Sequence, residues 1–212
     1  MPLRLPLMAV GPEELDARLA AGERRSGVFF YRTQCPECRA CEPLRIPVTE
    51  FAPHATQRRT KRTGDRVLET TLGPPDVDDE RVALYNAHRR GRGLARTERD
   101  LDAEGLREFL VDSRCPSFEM RYTLAGQLVG VAVVDRGETS LSAVYTYFDP
   151  THARLSLGTY SVLKQVELAR LWGMTYVYLG LFIGASAHMV YKKRFLPHER
   201  LVGGKWVRFD EC

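Results

Sequence analysis

Three strand-like segments follow one another over Phe118–Leu124, Gln127–Asp135 and Leu141–Phe148, separated by turns at Ala125-Gly126 and Arg136-Gly137. Alternating side chains joined by turns this short predict an antiparallel meander. Leu141, Ala143, Tyr145 and Tyr147 read as one face of its last strand. Ser156 then stands as the N-cap of a helix from Leu157 to about Trp172, with Val162, Leu163, Val166 and Ala169 on one side and Gly173 at its end. Thr175–Phe182 is short and apolar, which predicts a central strand. Phe195–Pro197 leads to a closing segment at Leu201–Phe209.

The first half is less regular. Gly11–Ala21 predicts a short helix, with Pro12 in its first turn, Glu13 and Glu14 at its positive end and Gly22 closing it. Val28–Arg32 predicts a strand. Leu44–Val48 predicts a second, which Pro43 and Pro47 restrict to an edge. Gly73–Val77 is a turn-rich break, followed by helical stretches at Asp78–Arg90 and Leu101–Ser113 with a basic loop between them. The 212 residues divide accordingly into a Cys-rich and basic region, 1–72, and a larger region, 73–212. The order of elements in the second predicts an α+β fold of the acetyltransferase-like (GNAT) kind, a mixed sheet with flanking helices. In that architecture an acyl donor binds where the sheet splays open beside a helix N-terminus. Many α+β folds share the order.

Three of the five cysteines, Cys35, Cys38 and Cys41, lie within seven positions. Thiolates this close can share a metal or cluster, act as redox-sensitive thiols, or form a structural patch. Three thiolates leave a tetrahedral site one ligand short, and Cys115, Cys212 and His54 are candidates for the fourth place. The remaining cysteines show no secreted disulfide pattern, and no apolar run reaches the roughly 18–20 residues of a membrane span. A reducing cytoplasm is the expected location. Net charge is only +4, but the basic residues cluster: Arg58, Arg59, Lys61, Arg62 and Arg66 in one group, His88, Arg89, Arg90, Arg92 and Arg96 in another. Such groups attract phosphate or simply form solvated helix faces.

Ordered blocks run through most of the chain: R-R-S-G (Arg24–Gly27), C-P-E-C-R-A-C-E-P-L-R (Cys35–Arg45), Q-R-R (Gln57–Arg59), L-S-A-V-Y-T-Y-F-D-P (Leu141–Pro150), S-L-G-T-Y-S-V-L (Ser156–Leu163), Y-V-Y-L-G (Tyr176–Gly180) and M-V-Y-K-K-R-F (Met189–Phe195). In these blocks the chain resembles the aminoacyl-tRNA–protein transferases of the N-end rule pathway. The likeness is to the bacterial aspartate/glutamate leucyltransferases, with eukaryotic arginyltransferases more distant. The sequence departs from relatives in having Leu181 after the Leu-Gly and no cysteine motif within Met1–Val10.

The resemblance implies transfer of an aminoacyl group, leucyl before arginyl, from aminoacyl-tRNA to the N-terminal amine of a protein or peptide beginning with Asp or Glu. It implies no membrane or DNA partner and no required cofactor. An iron–sulfur cluster or other metal at Cys35, Cys38 and Cys41 remains open. Ser156, Gly158 and Thr159 at a helix start suit the charged tRNA end, and Arg58, Arg59 and Arg62 suit its backbone. Tyr191, Lys192 and Arg194 suit an acidic acceptor. Tyr145, Tyr147 and Asp149 are the candidates for orienting the amine or receiving its proton. Two other readings stand beside this one: acyl transfer to a small molecule or peptide, and a non-enzymatic RNA- or cluster-binding sensor on the same scaffold.

Overall fold

The computed structural model of the chain describes residues 2–95, 97 and 99–211. The first part contains β1 (Leu3–Arg4), α1 (Pro12–Ala20), β2 (Arg24–Ser26), β3 (Phe29–Tyr31), β4 (Glu42–Pro47), α2 (Ala55–Val67) and β5 (Leu68–Gly73). Then come α3 (Asp79–Gly91), α4 (Ala103–Leu106) and the meander β6 (Ser117–Leu124), β7 (Gln127–Arg136) and β8 (Ser140–Phe148). The chain closes with α5 (Leu157–Leu171), β9 (Tyr176–Phe182), β10 (His198–Val202) and β11 (Lys205–Phe209). A π-helical turn, Arg107–Val111, follows α4, and short 3-10 segments occupy Pro150–Leu155 and Val190–Arg194. The expected single helix over Leu101–Ser113 is thus two short pieces.

Eight strands form one mixed sheet, ordered β11-β10-β4-β9-β8-β7-β6-β5, and β1, β3 and β2 form a small second sheet. In the large sheet only β8 and β9 are parallel. The meander expected from its turns is present, and at the β6–β7 turn Ala125 and Gly126 both take positive φ. β9 is central, as its apolar run predicts. The residues before 73 contribute β4 and β5 to this sheet.

β4 corrects the expectation of an edge strand: it lies between β9 and β10. Its ladder to β10 uses only Leu44 and Arg45, the two residues next to Pro43 on the interior side of both prolines. The missing N–H groups therefore fall outside that short ladder.

One core lies under α5, around Tyr160, Leu163 and Val166, and another lies under α3 and α4, around Leu84, Leu106 and Leu110. α2 packs against α5, and its Gly64 gives room to the Tyr160 ring, which would lie 2.4 Å from a Cβ there. β8 serves both cores, because Val144 is an extra residue opposite the Val133–Val134 step of β7. That bulge switches the faces. Leu141 and Ala143 join the α5 core, whereas Tyr145 and Tyr147 join the α3 core, so the four do not share a face.

Candidate active site

The parallel ladder between β8 and β9 covers only Ser140–Ser142 against Tyr176–Tyr178. Beyond it the strands run on to Phe148 and Phe182 without pairing each other, so the sheet opens there. Arg24 fills the start of the opening. Its Nη2 donates to the Ala143 carbonyl at 3.2 Å, on the first residue of β8 past the ladder. Across the gap Gly180 has φ +85°, and a Cβ on it would come within 2.6 Å of Arg24 Nη1. Glycine is required there both by the backbone and by the close approach. Nη1 itself is buried and has no hydrogen-bond partner.

Lys192 borders the β9 side. Its Nζ donates to the Leu181 carbonyl at 2.6 Å, one residue beyond Gly180. Burial, with the nearby Arg24 charge adding to it, pushes the ammonium down to about 7. Tyr191 is 36% exposed and packs edge-on to Phe195, with ring centroids 6.3 Å apart. Arg194 is exposed, and its carbonyl accepts from Gln57 Nε2 at 3.1 Å, which fastens this segment to α2.

The first turn of α5 borders the β8 side. A Cβ on Gly158 would sit 3.3 Å from the Phe148 ring at the end of β8. Ser156 occupies the N-cap position but corrects the expected cap: it is left-handed (φ 50°, ψ 46°) and its side chain makes no capping bond. Its carbonyl accepts the first helical bond, from Tyr160 at 2.9 Å. Gly158 and Thr159 are half-buried behind it. The N–H groups of this turn have no intrahelical partner and carry positive partial charge. His88, buried and pushed down to about 4 by burial and by Arg92, holds the end of β8 with Nδ1 3.2 Å from the Phe148 carbonyl and 3.3 Å from its N–H.

Of the three residues expected to act on the amine, Tyr145 and Tyr147 lie in the α3 core and Asp149 directly follows Phe148 at the end of β8. Tyr145 and Tyr147 pack on Tyr85 at 5.8 and 5.6 Å, and burial pushes the Tyr145 phenol up to about 12. Asp149 caps the segment after β8, accepting from the Thr151 N–H at 2.8 Å and its hydroxyl at 2.7 Å. Burial works against ionisation of Asp149, but these bonds hold its carboxyl below the usual range.

α2 carries the basic face. Arg58, Lys61, Arg62, Asp65 and Arg66 line, with Pro53, a shallow groove of about 500 Å³. Lys61 is neutralised by Asp65 at 2.6 Å and Glu167 at 2.8 Å, and Arg58 is tied to the Pro53 carbonyl at 2.6 Å. Among the described residues Arg59 and Arg62 form no ion pair, so their charge faces solvent. The second basic group does not form one surface: His88 is core, Arg90 pairs with Asp100, and Arg96 lies outside the described residues.

Cys35, Cys38 and Cys41 lie on the loop between β3 and β4, the first two exposed. Burial, and then the neighbouring Cys38 and Cys35, raise the Cys41 thiol. Among the described residues no three His, Cys, Asp or Glu side chains converge to hold a metal. Cys115 is buried beside Ser113, and His54 caps α2 with Gln57. Cys212 lies outside the described residues. Among the described residues Cys35, Cys38 and Cys41 therefore do not make up a complete ligand set for a cluster.

Arg24 and Gly180 were legible only as members of quoted sequence blocks. A charged residue on a short strand and a glycine in an apolar one give no local sign that they meet.

Comparison with known proteins gives a consistent result. The family described as "Arginine-tRNA-protein transferase, C terminus" matches residues 80–202, and its N-terminus counterpart matches residues 4–59. The chain is 39% identical to an aspartate/glutamate leucyltransferase from Chromobacterium violaceum over 98% of this chain and 85% of that one. It is 43% identical to the protein of that name from Thiobacillus denitrificans, over 97% and 85%. In fold it resembles the C-terminal domain of a putative lysylphosphatidylglycerol synthetase from Agrobacterium fabrum, with a TM-score of 0.53 and 16% identity over 89% of this chain and 56% of that one. It also resembles L-PGS from Bacillus licheniformis, with a TM-score of 0.56 and 12% identity over 82% and 61%.

Proposed function

This chain belongs to the arginine-tRNA-protein transferase family, and from that premise we propose that it transfers a leucyl group from aminoacyl-tRNA to the α-amine of proteins beginning with Asp or Glu, marking them for N-end rule degradation. Relatives named aspartate/glutamate leucyltransferase, matched over nearly the whole chain, favour leucine as the donor. The family description favours arginine as the second reading.

The donor is an activated ester. The acceptor ammonium loses a proton, its nitrogen attacks the ester carbonyl carbon, and a tetrahedral oxyanion forms. The bond to the tRNA 3′ oxygen then breaks, the nitrogen gives up a second proton and the 3′ oxygen takes one. The products are an amide, a free 3′ hydroxyl and one proton released. No covalent enzyme intermediate is needed, and the enzyme's task is positioning and charge stabilisation.

The opening between β8 and β9 suits that task. The first turn of α5, at Gly158 and Thr159, offers N–H groups to the oxyanion or the charged 3′ end. Lys192, on the β9 side, presents the acceptor. A parallel strand pair that parts beside a helix start is the arrangement of an acetyltransferase-like (GNAT) fold, and we assign this chain to that kind. Arg58, Arg59 and Arg62 contact tRNA phosphates without reading sequence. Among the described residues no helix is long and apolar enough to cross a membrane. The cytoplasm, where charged tRNA is found, is the proposed location.

The observation that carries the reading is the half-buried Lys192 ammonium, held by the Leu181 carbonyl where β8 and β9 part. The test is transfer of labelled leucine or arginine from charged tRNA to peptides beginning with Asp, Glu or Ala. Leucine appearing only on the acidic peptides supports the proposal. Arginine transfer selects the second reading, and transfer to none of them removes both.

A further inference from the structure

Two cations share the opening, and neither has an acid beside it. Arg24 holds one carbonyl through Nη2 and leaves Nη1 buried and unpartnered. Lys192 is near enough for Arg24 to weaken its hold on its proton. Among the described residues no carboxylate forms an ion pair with either. Asp135, whose charge reaches Arg24, is committed to Arg25 at 2.8 Å and to Ser117 at 2.6 Å. A desolvated guanidinium without a counter-ion is costly in a folded protein unless a ligand completes it. An anion that enters with a substrate would supply such a partner.

We propose that Arg24 is the specificity-determining residue for the acceptor: its unpartnered Nη1, with Lys192 beside it, receives the side-chain carboxylate of an N-terminal Asp or Glu. This rests on the transfer reaction proposed above and goes beyond it in naming the residue that selects acidity. A carboxylate fits better than a phosphate. One guanidinium nitrogen and one ammonium present donors for two oxygens, which is the valence of a carboxylate. The pair is sunk in the parting of the sheet, whereas a polynucleotide backbone needs an open basic surface such as α2 provides. The carboxylate bound here leaves the acceptor α-amine one short side chain away, at the mouth that α5 borders. Arg194, expected to share this role, is exposed on the far end of its segment.

The experiment uses the full chain, labelled leucyl-tRNA and matched peptides beginning with Asp, Glu, Asn or Gln. Arg24→Met is expected to raise KM for the Asp and Glu peptides roughly 10- to 100-fold, the scale of one lost charged hydrogen bond. It leaves the KM for leucyl-tRNA within about two-fold and narrows the gap between Asp and Asn peptides. Arg24→Lys keeps the charge, shortens the reach, and shifts the Asp-to-Glu preference. Equal losses on Asp and Asn peptides, or a raised KM for leucyl-tRNA, would overturn the assignment. Should Arg24→Met fail to fold, Arg24→Lys decides: a folded protein with unchanged Asp/Asn and Asp/Glu ratios ends the proposal. Wild-type protein that modifies no acidic peptide removes the reaction itself, which is a different failure.

Discussion

Nη1 of Arg24 stands 2.6 Å from the position a Cβ on Gly180 would take. A side chain on β2 and an absent one on β9 are thus a matched pair. Gly180→Ala is expected to lose about 1–2 kcal/mol from the left-handed backbone alone, plus whatever displacing the guanidinium costs. Urea unfolding measures the total. Repeating it in an Arg24→Met background isolates the contact, since the guanidinium part of the loss vanishes there. Equal losses in both backgrounds would mean that the two residues do not interact.

Lys192 makes stability depend on pH in a defined direction. Its folded value is about 7, below the ordinary 10.5. Between those values the unfolded chain binds a proton that the folded chain does not. Stability from this group therefore rises as pH increases from 7 to 10.5, and below 7 the full penalty of a buried charge applies. Lys192→Met is expected to flatten that rise and to be more stable than wild type at pH 6. In assays the same variant raises the acceptor KM more than the leucyl-tRNA KM. Parallel wild-type and variant stability profiles across pH 7–10 would refute the assigned burial.

The α2 arginines are predicted to act on tRNA alone. Arg59 and Arg62 are exposed and support no packing, so Arg59→Ala/Arg62→Ala changes stability by less than about 0.5 kcal/mol. Each phosphate contact contributes roughly 0.7–0.9 to the slope of log affinity against log salt. The double variant should bind leucyl-tRNA with a slope shallower by about 1.5, with the acceptor KM unmoved. A slope identical to wild type would place the tRNA elsewhere.

Thiol reactivity separates the cysteines. Cys35 and Cys38 are exposed, whereas Cys115 is buried beside Ser113 with its thiol pushed up to about 11, mainly by burial. Iodoacetamide at pH 8 in the native state is expected to label Cys35 and Cys38 first and Cys115 only after unfolding, as peptide mass mapping reads directly. Protection of Cys35 and Cys38 that a chelator removes would show the loop holding a metal.

The second half of the chain was readable because its signals are local. Turn residues bound each strand of the meander, and α5 presents Val162, Leu163, Val166 and Ala169 at helical spacing, all buried. α2 escaped notice because it buries only Gln57 and Gly64 and shows no apolar stripe. Alternation suggested one face for Tyr145 and Tyr147 with Leu141, but the Val144 bulge depends on pairing with β7 and leaves no mark in the sequence. Lys192 was found through its motif. Arg24 was not, since its role depends on Gly180, 156 positions later, and an arginine on a three-residue strand ordinarily faces water.

Arg24 owes its position to its neighbour. Arg25 Nε donates to Asp135 Oδ2 at 2.8 Å, its Nη1 to the Gly27 and Asp112 carbonyls at 3.1 and 3.3 Å, and its Nη2 to the Leu110 carbonyl at 3.4 Å. Both members of the ion pair are almost fully buried, so this network fastens β2 to β7 and fixes the direction in which Arg24 leaves the strand. Asp135→Asn strands a buried guanidinium and is expected to lose about 3–5 kcal/mol. Replacing both partners with apolar residues, Arg25→Met/Asp135→Leu, should recover most of that loss, because no buried charge is left. The recovered protein still lacks the bonds that orient β2, so its KM for acidic acceptors is expected to stay raised while its unfolding curve approaches wild type. A double variant with wild-type acceptor KM would show that Arg24 holds its place without this anchor.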